Sequence, residues 1–284
     1  MGTLFLVATP IGNLEDISAR ALRTLEAVTL IAAEDTRQTL KLLNHFTIRT
    51  PLTSYHEHNK GARLSQVLAA LQAGDVALVS DAGTPALNDP GVELVQAALQ
   101  AGHRVSPIPG ACAPVAALVA SGLPTDAFLY LGYLPRKASE RQRWLHSVAD
   151  LPYTLVFLET PHRLLEALAD LHTVLGERPI AVARELTKLH EEIFRGSISQ
   201  AGAHFTDHAP RGEFTLVVAG NANPETRWDE DQVRRALLSA LESHQPASRL
   251  AGRLAAQSGW PRRDIYNQLV QMQKQDNRSD HEPG

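Results

Sequence analysis

What this sequence lacks narrows its function before any motif does. It holds one cysteine in 284 residues, Cys112, which rules out an internal disulfide and a cysteine-based zinc site and fits a reducing compartment. No apolar run approaches the roughly 18 to 20 residues that a membrane helix needs. The opening strand-like run at residues 4–8 is too short for a secretion signal and stops at Thr9-Pro10. The expectation is a cytoplasmic protein without a membrane partner. Positive charge is not in excess either: the net charge is −4, so any nucleic-acid surface must be a local patch.

Absent motifs exclude further classes. No GxGxxG follows a strand-like run, so the usual dinucleotide fingerprint is missing. No GxxxxGK[ST] supports a P-loop, and no GxSxG supports a nucleophile elbow. His56-Glu57-His58 and the pair His204/His208 have no recognisable third ligand, so no metal is expected.

What is present is an ordinary soluble composition, 44% hydrophobic and 20% charged, with length for two domains and a small module. Short apolar runs at residues 4–8, 30–33, 76–80 and 103–107 read as strands. Helical patterns at 18–27, 37–46, 61–73, 91–101 and 113–120 alternate with them; Leu64, Val67, Leu68 and Leu71 share one face. Buried strands alternating with helices imply an α/β domain with a mostly parallel sheet, residues 1–122, ending at the turn Ser121-Gly122-Leu123-Pro124. Beyond it, runs at 128–133, 154–158, 180–183, 191–194 and 214–219 outnumber helices at 139–148 and 161–175. A mixed, partly antiparallel sheet is expected over 123–221.

After Asn221-Ala222-Asn223-Pro224 the pattern changes to three short helices over 222–275. Leu237, Leu238 and Leu241 lie on the first, the second runs over 247–257, and Pro261 opens the third after the turn Ser258-Gly259-Trp260. This suits a helix-turn-helix-like module. From Pro246 to Lys274, Arg249, Arg253, Arg262, Arg263 and Lys274 face Asp264 alone, a local net of +4. Arg262 and Arg263 can bond phosphates and Tyr266 can stack on an unpaired base, or Tyr266 and Trp260 anchor a small bundle. The polar tail, 276–284, is expected to be disordered.

Three loops follow predicted strands, at the edge where open α/β sheets bind ligands. They are Thr9-Pro10-Ile11-Gly12-Asn13, the stretch from Ser80-Asp81-Ala82-Gly83-Thr84-Pro85 to Gly91, and Ile108-Pro109-Gly110-Ala111-Cys112-Ala113. Small residues there allow close approach of a ligand to the backbone. Asp89 reads as the N-cap of the following helix with Pro90 at its first position.

Val7-Ala8-Thr9-Pro10-Ile11-Gly12-Asn13-Leu14, Ala33-Glu34-Asp35-Thr36-Arg37, residues 80–91 and Arg184-Glu185-Leu186-Thr187-Lys188 together resemble the ribosomal RNA small subunit methyltransferase I family. The resemblance covers residues 3–221, and the C-terminal helices more loosely. It implies the two-domain fold of the tetrapyrrole-methylase-like (class III) methyltransferases and S-adenosylmethionine as cofactor. The implied reaction is methylation of a cytidine ribose 2′-oxygen in 16S rRNA, with the 30S subunit as partner and a homodimer as assembly. By resemblance the cofactor positions are Pro10, then Asp81, Ala82 and Gly83, then Pro109, Gly110, Ala111, Cys112 and Ala113. The second domain contributes Leu158 and Glu159, with Gly212, Glu213 and Phe214. Ala111 stands where the family more often has proline, and Leu158 where it more often has an aromatic residue. Neither change removes a charge.

A ribose hydroxyl is a poor nucleophile, so a nearby base or a cation would help. The candidates are Asp35 with Arg37, His56, and Glu185 with Lys188; each also has a structural reading, as an ion pair, a surface loop or a domain-junction anchor. Two rivals remain. A tetrapyrrole methyltransferase has no use for a basic helical appendage, and a non-catalytic RNA-binding factor has no use for three intact strand-end loops.

Overall fold

The structure, a computed structural model, describes residues 1–222, 228, 230–241, 245–258 and 260–279. The chain divides into two compact units, residues 1–149 with 153–220 and residues 150–152 with 221–284.

In the larger unit β1 (Thr3–Val7), β2 (Leu30–Ala33), β3 (Leu52–Ser54), β4 (Val76–Val79) and β5 (Arg104–Ile108) form a sheet in the order β3-β2-β4-β1-β5. Every pairing in it is parallel. The helices are α1 (Ala19–Ala27), α2 (Thr36–His45), α3 (Lys60–Ala73), α4 (Val92–Gln100) and α5 (Ala113–Ser121). Strand periodicity sends alternate residues to opposite faces. Val7, Ala77 and Val79 pack with Leu25 of α1 and Leu43 of α2. Leu4, Val76 and Leu78 pack with Val67 and Leu71 of α3 and Leu94 of α4. Both faces are therefore covered, as the continuous apolar strands require. Side-chain caps set two helix starts: Ser18 accepts from Ala21 N at 3.1 Å, and Asp35 from Arg37 N at 2.8 Å. The three-residue β3 was not expected; so short a run shows no periodicity.

A second sheet, β6 (Phe128–Tyr133), β7 (Thr154–Glu159), β8 (Pro179–Arg184), β9 (Glu192–Ser197) and β10 (Phe214–Val218), has the order β6-β7-β10-β8-β9. β6 and β7 pair parallel; the other pairings are antiparallel. With it come α6 (Ala138–His146), α7 (Leu164–Leu175) and α8 (Ile198–Asp207). α8 was also unexpected. Its start carries a capping box between Ser197 and Gln200, and it buries Ile198, Ala201 and Phe205 along one face. α5 precedes the turn taken as the first domain boundary, yet its Ala117 and Leu118 pack against Val156, Ala181 and Val217 of the second sheet. Apolar along nearly its whole length, it serves that sheet while its first residues remain at the edge of the parallel one.

The smaller unit contains α9 (Glu230–Leu241), α10 (Ala247–Ser258) and α11 (Arg262–Ser279). Val233, Leu237, Leu250, Leu254, Ile265 and Leu269 form its core. Leu237, Leu238 and Leu241 all lie on α9 as expected, with Leu237 in the core and Leu238 half exposed. Trp260 donates its indole N–H to Trp228 O at 2.6 Å and packs against the core, so it anchors the bundle. α11 continues to Ser279, into the stretch assigned to a disordered tail; residues 280–284 lie outside the described residues, as do 223–224 and Gly259 of the expected turns. Among the described residues, no helix is long and apolar enough to cross a membrane.

Candidate active site

Strand order places the ends of β1, β4 and β5 side by side, so their loops meet. Thr9 N donates to Gly83 O at 2.9 Å, and Gly83 N to Thr9 O at 3.0 Å. Thr84 Oγ1 donates to Ala111 O at 3.2 Å. Gly110 lies so close to the first loop that a Cβ on it would stand 2.9 Å from Ala8 Cβ. Gly83 has φ +80°, a conformation that side-chain-bearing residues rarely adopt. The three loops singled out in the sequence are thus bonded into one wall.

Between that wall and the second sheet lies a cleft of about 320 Å³. Asp81, Ala82 and Gly83 line it from β4, and Cys112 and Ala113 from the start of α5. Across it stand Leu158 and Glu159 at the end of β7, and Glu213 and Phe214 at the start of β10. Nine of the expected cofactor positions therefore share one cavity. Pro109, Gly110, Ala111 and Gly212 do not line it; they belong to the loops behind it. Pro10 lines a separate cavity of about 210 Å³, which shares Asp81 with the cleft.

The sequence reading missed several lining residues: Glu34, Asn88, Asp89, Tyr130 and Tyr133. Asp89 is the sharpest correction. The N-cap of α4 is Gly91, not Asp89, and the helix starts at Val92. Ala86 and Asn88 adopt φ near +65°, and Gly91 (φ +152°) seats so tightly that a Cβ would lie 2.7 Å from Leu78 Cδ2. This turn delays the helix and leaves Asp89 in the cleft. Tyr130 and Tyr133 flank a register shift in β6 at Gly132 (φ +63°), where a Cβ would meet the Asn88 amide at 2.6 Å.

Five carboxylates line the cleft, Glu34, Asp81, Asp89, Glu159 and Glu213, and among the described residues no lysine, arginine or histidine does. Burial pushes Asp89 up to about 6, aided by the charge of Glu34. Burial also raises Glu34, partly offset by the N–H of Asp81 (3.2 Å to Glu34 Oε2), and raises Glu159 despite the Thr160 N–H at 2.8 Å. Glu159 is almost fully buried, and its Oε2 makes no hydrogen bond, although Arg163 Nη2 is 3.2 Å away. Tyr130 Oη is likewise buried without a hydrogen-bond partner, and burial pushes its hydroxyl up to about 12. Anionic groups and unmet polar atoms around one cavity fit a cationic, polar ligand.

The candidate helpers for the hydroxyl lie outside this lining. Arg37 grips Asp35 with Nε at 3.0 Å and Nη2 at 2.7 Å, and these bonds hold the carboxyl at about 2. Asp35 also caps α2, so it is engaged as a structural partner in this geometry. His56 lies near enough to Glu34 for their charges to interact, and its Nδ1 is buried without a partner. Glu185 Oε1 accepts from Lys188 Nζ at 2.9 Å and from Glu213 N at 3.1 Å, while Lys188 also reaches Glu213 Oε2 at 3.1 Å. Lys188 packs where a side chain on Gly12 would stand, so Gly12 lets the β1 loop meet this ion pair. His204 is paired with Glu192 at 2.6 Å and stacked on Phe194 and His208. In the smaller unit Arg262 Nη2 donates to Ser248 O at 3.1 Å, whereas the side chain of Arg263 is 88% exposed and Tyr266 is half exposed.

The sequence-family model described as Tetrapyrrole (Corrin/Porphyrin) Methylases matches residues 3–202. The chain belongs to that family. It is 51% identical over 277 residues to the ribosomal RNA small subunit methyltransferase I of Synechocystis sp., covering 96% of this chain and 99% of the relative. It is 46% identical to the protein of the same name from Pseudomonas aeruginosa, covering 96% and 98%. Within the methylases it is therefore a member of the ribosomal RNA small subunit methyltransferase I family. Two solved structures share its fold. Uroporphyrin-III C-methyltransferase from Thermus thermophilus, complexed with S-adenosyl homocysteine, has a TM-score of 0.53 at 20% identity, covering 78% of this chain and 98% of that one. Diphthine synthase has a TM-score of 0.59 at 12% identity, covering 77% and 90%.

Proposed function

We propose that this methyltransferase transfers a methyl group from S-adenosylmethionine to the 2′-oxygen of a cytidine ribose in small-subunit ribosomal RNA. The observation that carries the cofactor is that every charged side chain lining the cleft is a carboxylate, which suits a sulfonium and an ammonium and disfavours a phosphate-bearing cofactor. When bound, the cofactor supplies an activated methyl group on sulfur. The chain's own work is alignment: the Thr9–Gly83 bridge and the Thr84–Ala111 bond fix one wall, Glu159 and Tyr130 offer the other, and the alignment converts a two-body collision into a positioned displacement. Pro10, Asp81 to Gly83, Pro109 to Ala113, Leu158, Glu159 and Gly212 to Phe214 form the cofactor site on this reading, the non-lining members acting through the loops they shape.

The names of the relatives support ribosomal RNA as the target, and the local charge of +4 in the C-terminal helices supports an RNA-facing module, with Arg262, Arg263 and Tyr266 as its contacts. The family resemblance also supports a cytoplasmic homodimer acting on the 30S subunit, and the choice of the ribose oxygen over the base.

Labelled methyl transfer into isolated 16S rRNA, 30S particles and uroporphyrinogen tests the reading. The expected product is a cytidine whose 3′ linkage resists alkali, because a blocked 2′-oxygen cannot attack the adjacent phosphate. A base-methylated nucleoside, or transfer to uroporphyrinogen alone, would overturn it. Changing Arg262 and Arg263 together to alanine should lower the salt dependence of RNA binding by a slope of about 1 to 2. An unchanged slope removes these two residues from the RNA surface.

A further inference from the structure

The second cavity, beside the cofactor cleft, is not accounted for by cofactor binding. It lies between the loop after β1 and α2, with buried Thr39 and Leu42 and exposed Gln38 and Lys41 in its lining, and one wall is common to both cavities. Ile11 lines the cleft and Pro10 the second cavity, while Asp81 lines both. This explains why Pro10, expected with the cofactor, stands apart from the cleft. The lining chemistry also changes across the wall. Pro10, Leu14 and Leu42 give it apolar sides, and Gln38 and Lys41 stand over it from α2.

Lys41 Nζ donates to Gln38 Oε1 at 2.9 Å. An ammonium can only donate, so the carboxamide oxygen must face it, and the two N–H donors of Gln38 are turned the other way. A cytosine offers the complementary edge, with acceptors at O2 and N3, whereas uracil offers a donor at N3. Apolar sides suit the ring faces, and Lys41 suits the negative charge of an adjacent phosphate.

We propose that this cavity seats the target pyrimidine, with Gln38 reading its acceptor edge and Lys41 its phosphate, so that the nucleotide approaches the cofactor cleft across the Asp81 wall. The proposal rests on the RNA-methylating function above and adds where the base binds and what selects it. Both reading residues are exposed positions of α2, so substitution leaves the core intact.

The full-length protein tests it. With 30S particles as substrate, Gln38→Trp should fill the cavity and raise KM on the order of tenfold or more, with the calorimetric Kd for S-adenosylmethionine unchanged. Gln38→Leu should lower the preference for a cytidine over a uridine target by about tenfold, and Lys41→Ala should raise KM for both alike. If Gln38→Trp weakens the cofactor instead, or if KM and target preference stay at wild-type values in all three variants, the cavity is not the pyrimidine seat. If the wild-type protein methylates no RNA, the functional reading fails first and this one with it.

Discussion

The two sheets of the larger unit build one cleft by different means. In the parallel sheet every strand ends in the same direction, so the loops after β1, β4 and β5 converge on one edge by topology. In the mixed sheet, register does this work. β10 runs antiparallel to both β7 and β8, and Phe214 stands opposite Glu159 on one side and Arg184 on the other. The start of one strand thus meets the ends of two others. The parallel half can therefore be broken by a single residue at the shared edge, while the mixed half depends on what holds its strands and helices in place.

The largest effect is expected at the parallel edge. Gly83→Trp places a side chain at φ +80° beside Ile11 Cγ2, where even a Cβ would stand at 3.3 Å. The left-handed conformation alone costs roughly 1–2 kcal/mol, and overpacking adds about 1–3. Calorimetric affinity for S-adenosylmethionine should fall about 100-fold or more, with the circular dichroism spectrum of the wild type retained. Wild-type affinity in that variant would remove the three-loop wall from the cofactor site.

The same contrast explains what could be read in the sequence. Asp81 to Gly83 and Cys112 to Ala113 were legible because each follows an apolar strand, and a strand's end in a parallel sheet is a position that order alone supplies. Glu213 and Phe214 stand at the start of a strand and not at its end; only pairing makes them part of a site, so they were reachable by family resemblance and not by pattern. Tyr130 and Tyr133 were hidden by the bulge at Gly132, which breaks the alternation that would have assigned their faces. Asp89 was misread because Asp-Pro ahead of an apolar run is a good N-cap signal. The left-handed turn through Ala86 and Asn88 overrides it. The helix α8 was missed although Ser197 and Gln200 carry a signal that could have found it.

A second way to sharpen the comparison is to remove a charge from each half. Arg141 is 1% exposed, donates to Asp170 Oδ2 at 2.6 Å, and donates to the carbonyls of Pro135 and Arg136 at 3.3 and 3.2 Å. It ties α6 to α7 and to the loop after β6. Arg141→Ala leaves a nearly buried carboxylate with only the Gln142 amide at 2.6 Å and no countercharge at its Oδ2, and should lower the unfolding free energy by about 3 kcal/mol in urea titrations. Arg37→Ala removes an equally well-formed pair at the parallel edge, but that guanidinium is 87% exposed and screened by water, so its loss should be much the smaller of the two. Equal losses would mean that burial does not separate the two pairs.

The smallest effect tests Asp89, where the halves meet. Burial, reinforced by Glu34, raises its carboxyl to about 6, so below that pH the folded protein without cofactor holds it as the neutral acid. Stability from this group is present below the ordinary carboxylate range, near pH 4, and is lost as pH rises through 6. Cofactor binding should have the opposite sign, because a cation favours the ionised form: affinity should climb several-fold between pH 5 and 7 and release a fraction of a proton near pH 6. Asp89→Asn should separate the two. Its melting temperature without cofactor should match wild type at pH 4 and exceed it at pH 7.5, while its affinity for S-adenosylmethionine should be lower at pH 7.5 and less dependent on pH. Titrations in two buffers of different ionisation enthalpy read the proton release directly. If the variant gains no stability at pH 7.5 and keeps the wild-type affinity profile, Asp89 is not the group that couples the cleft's charge to its ligand.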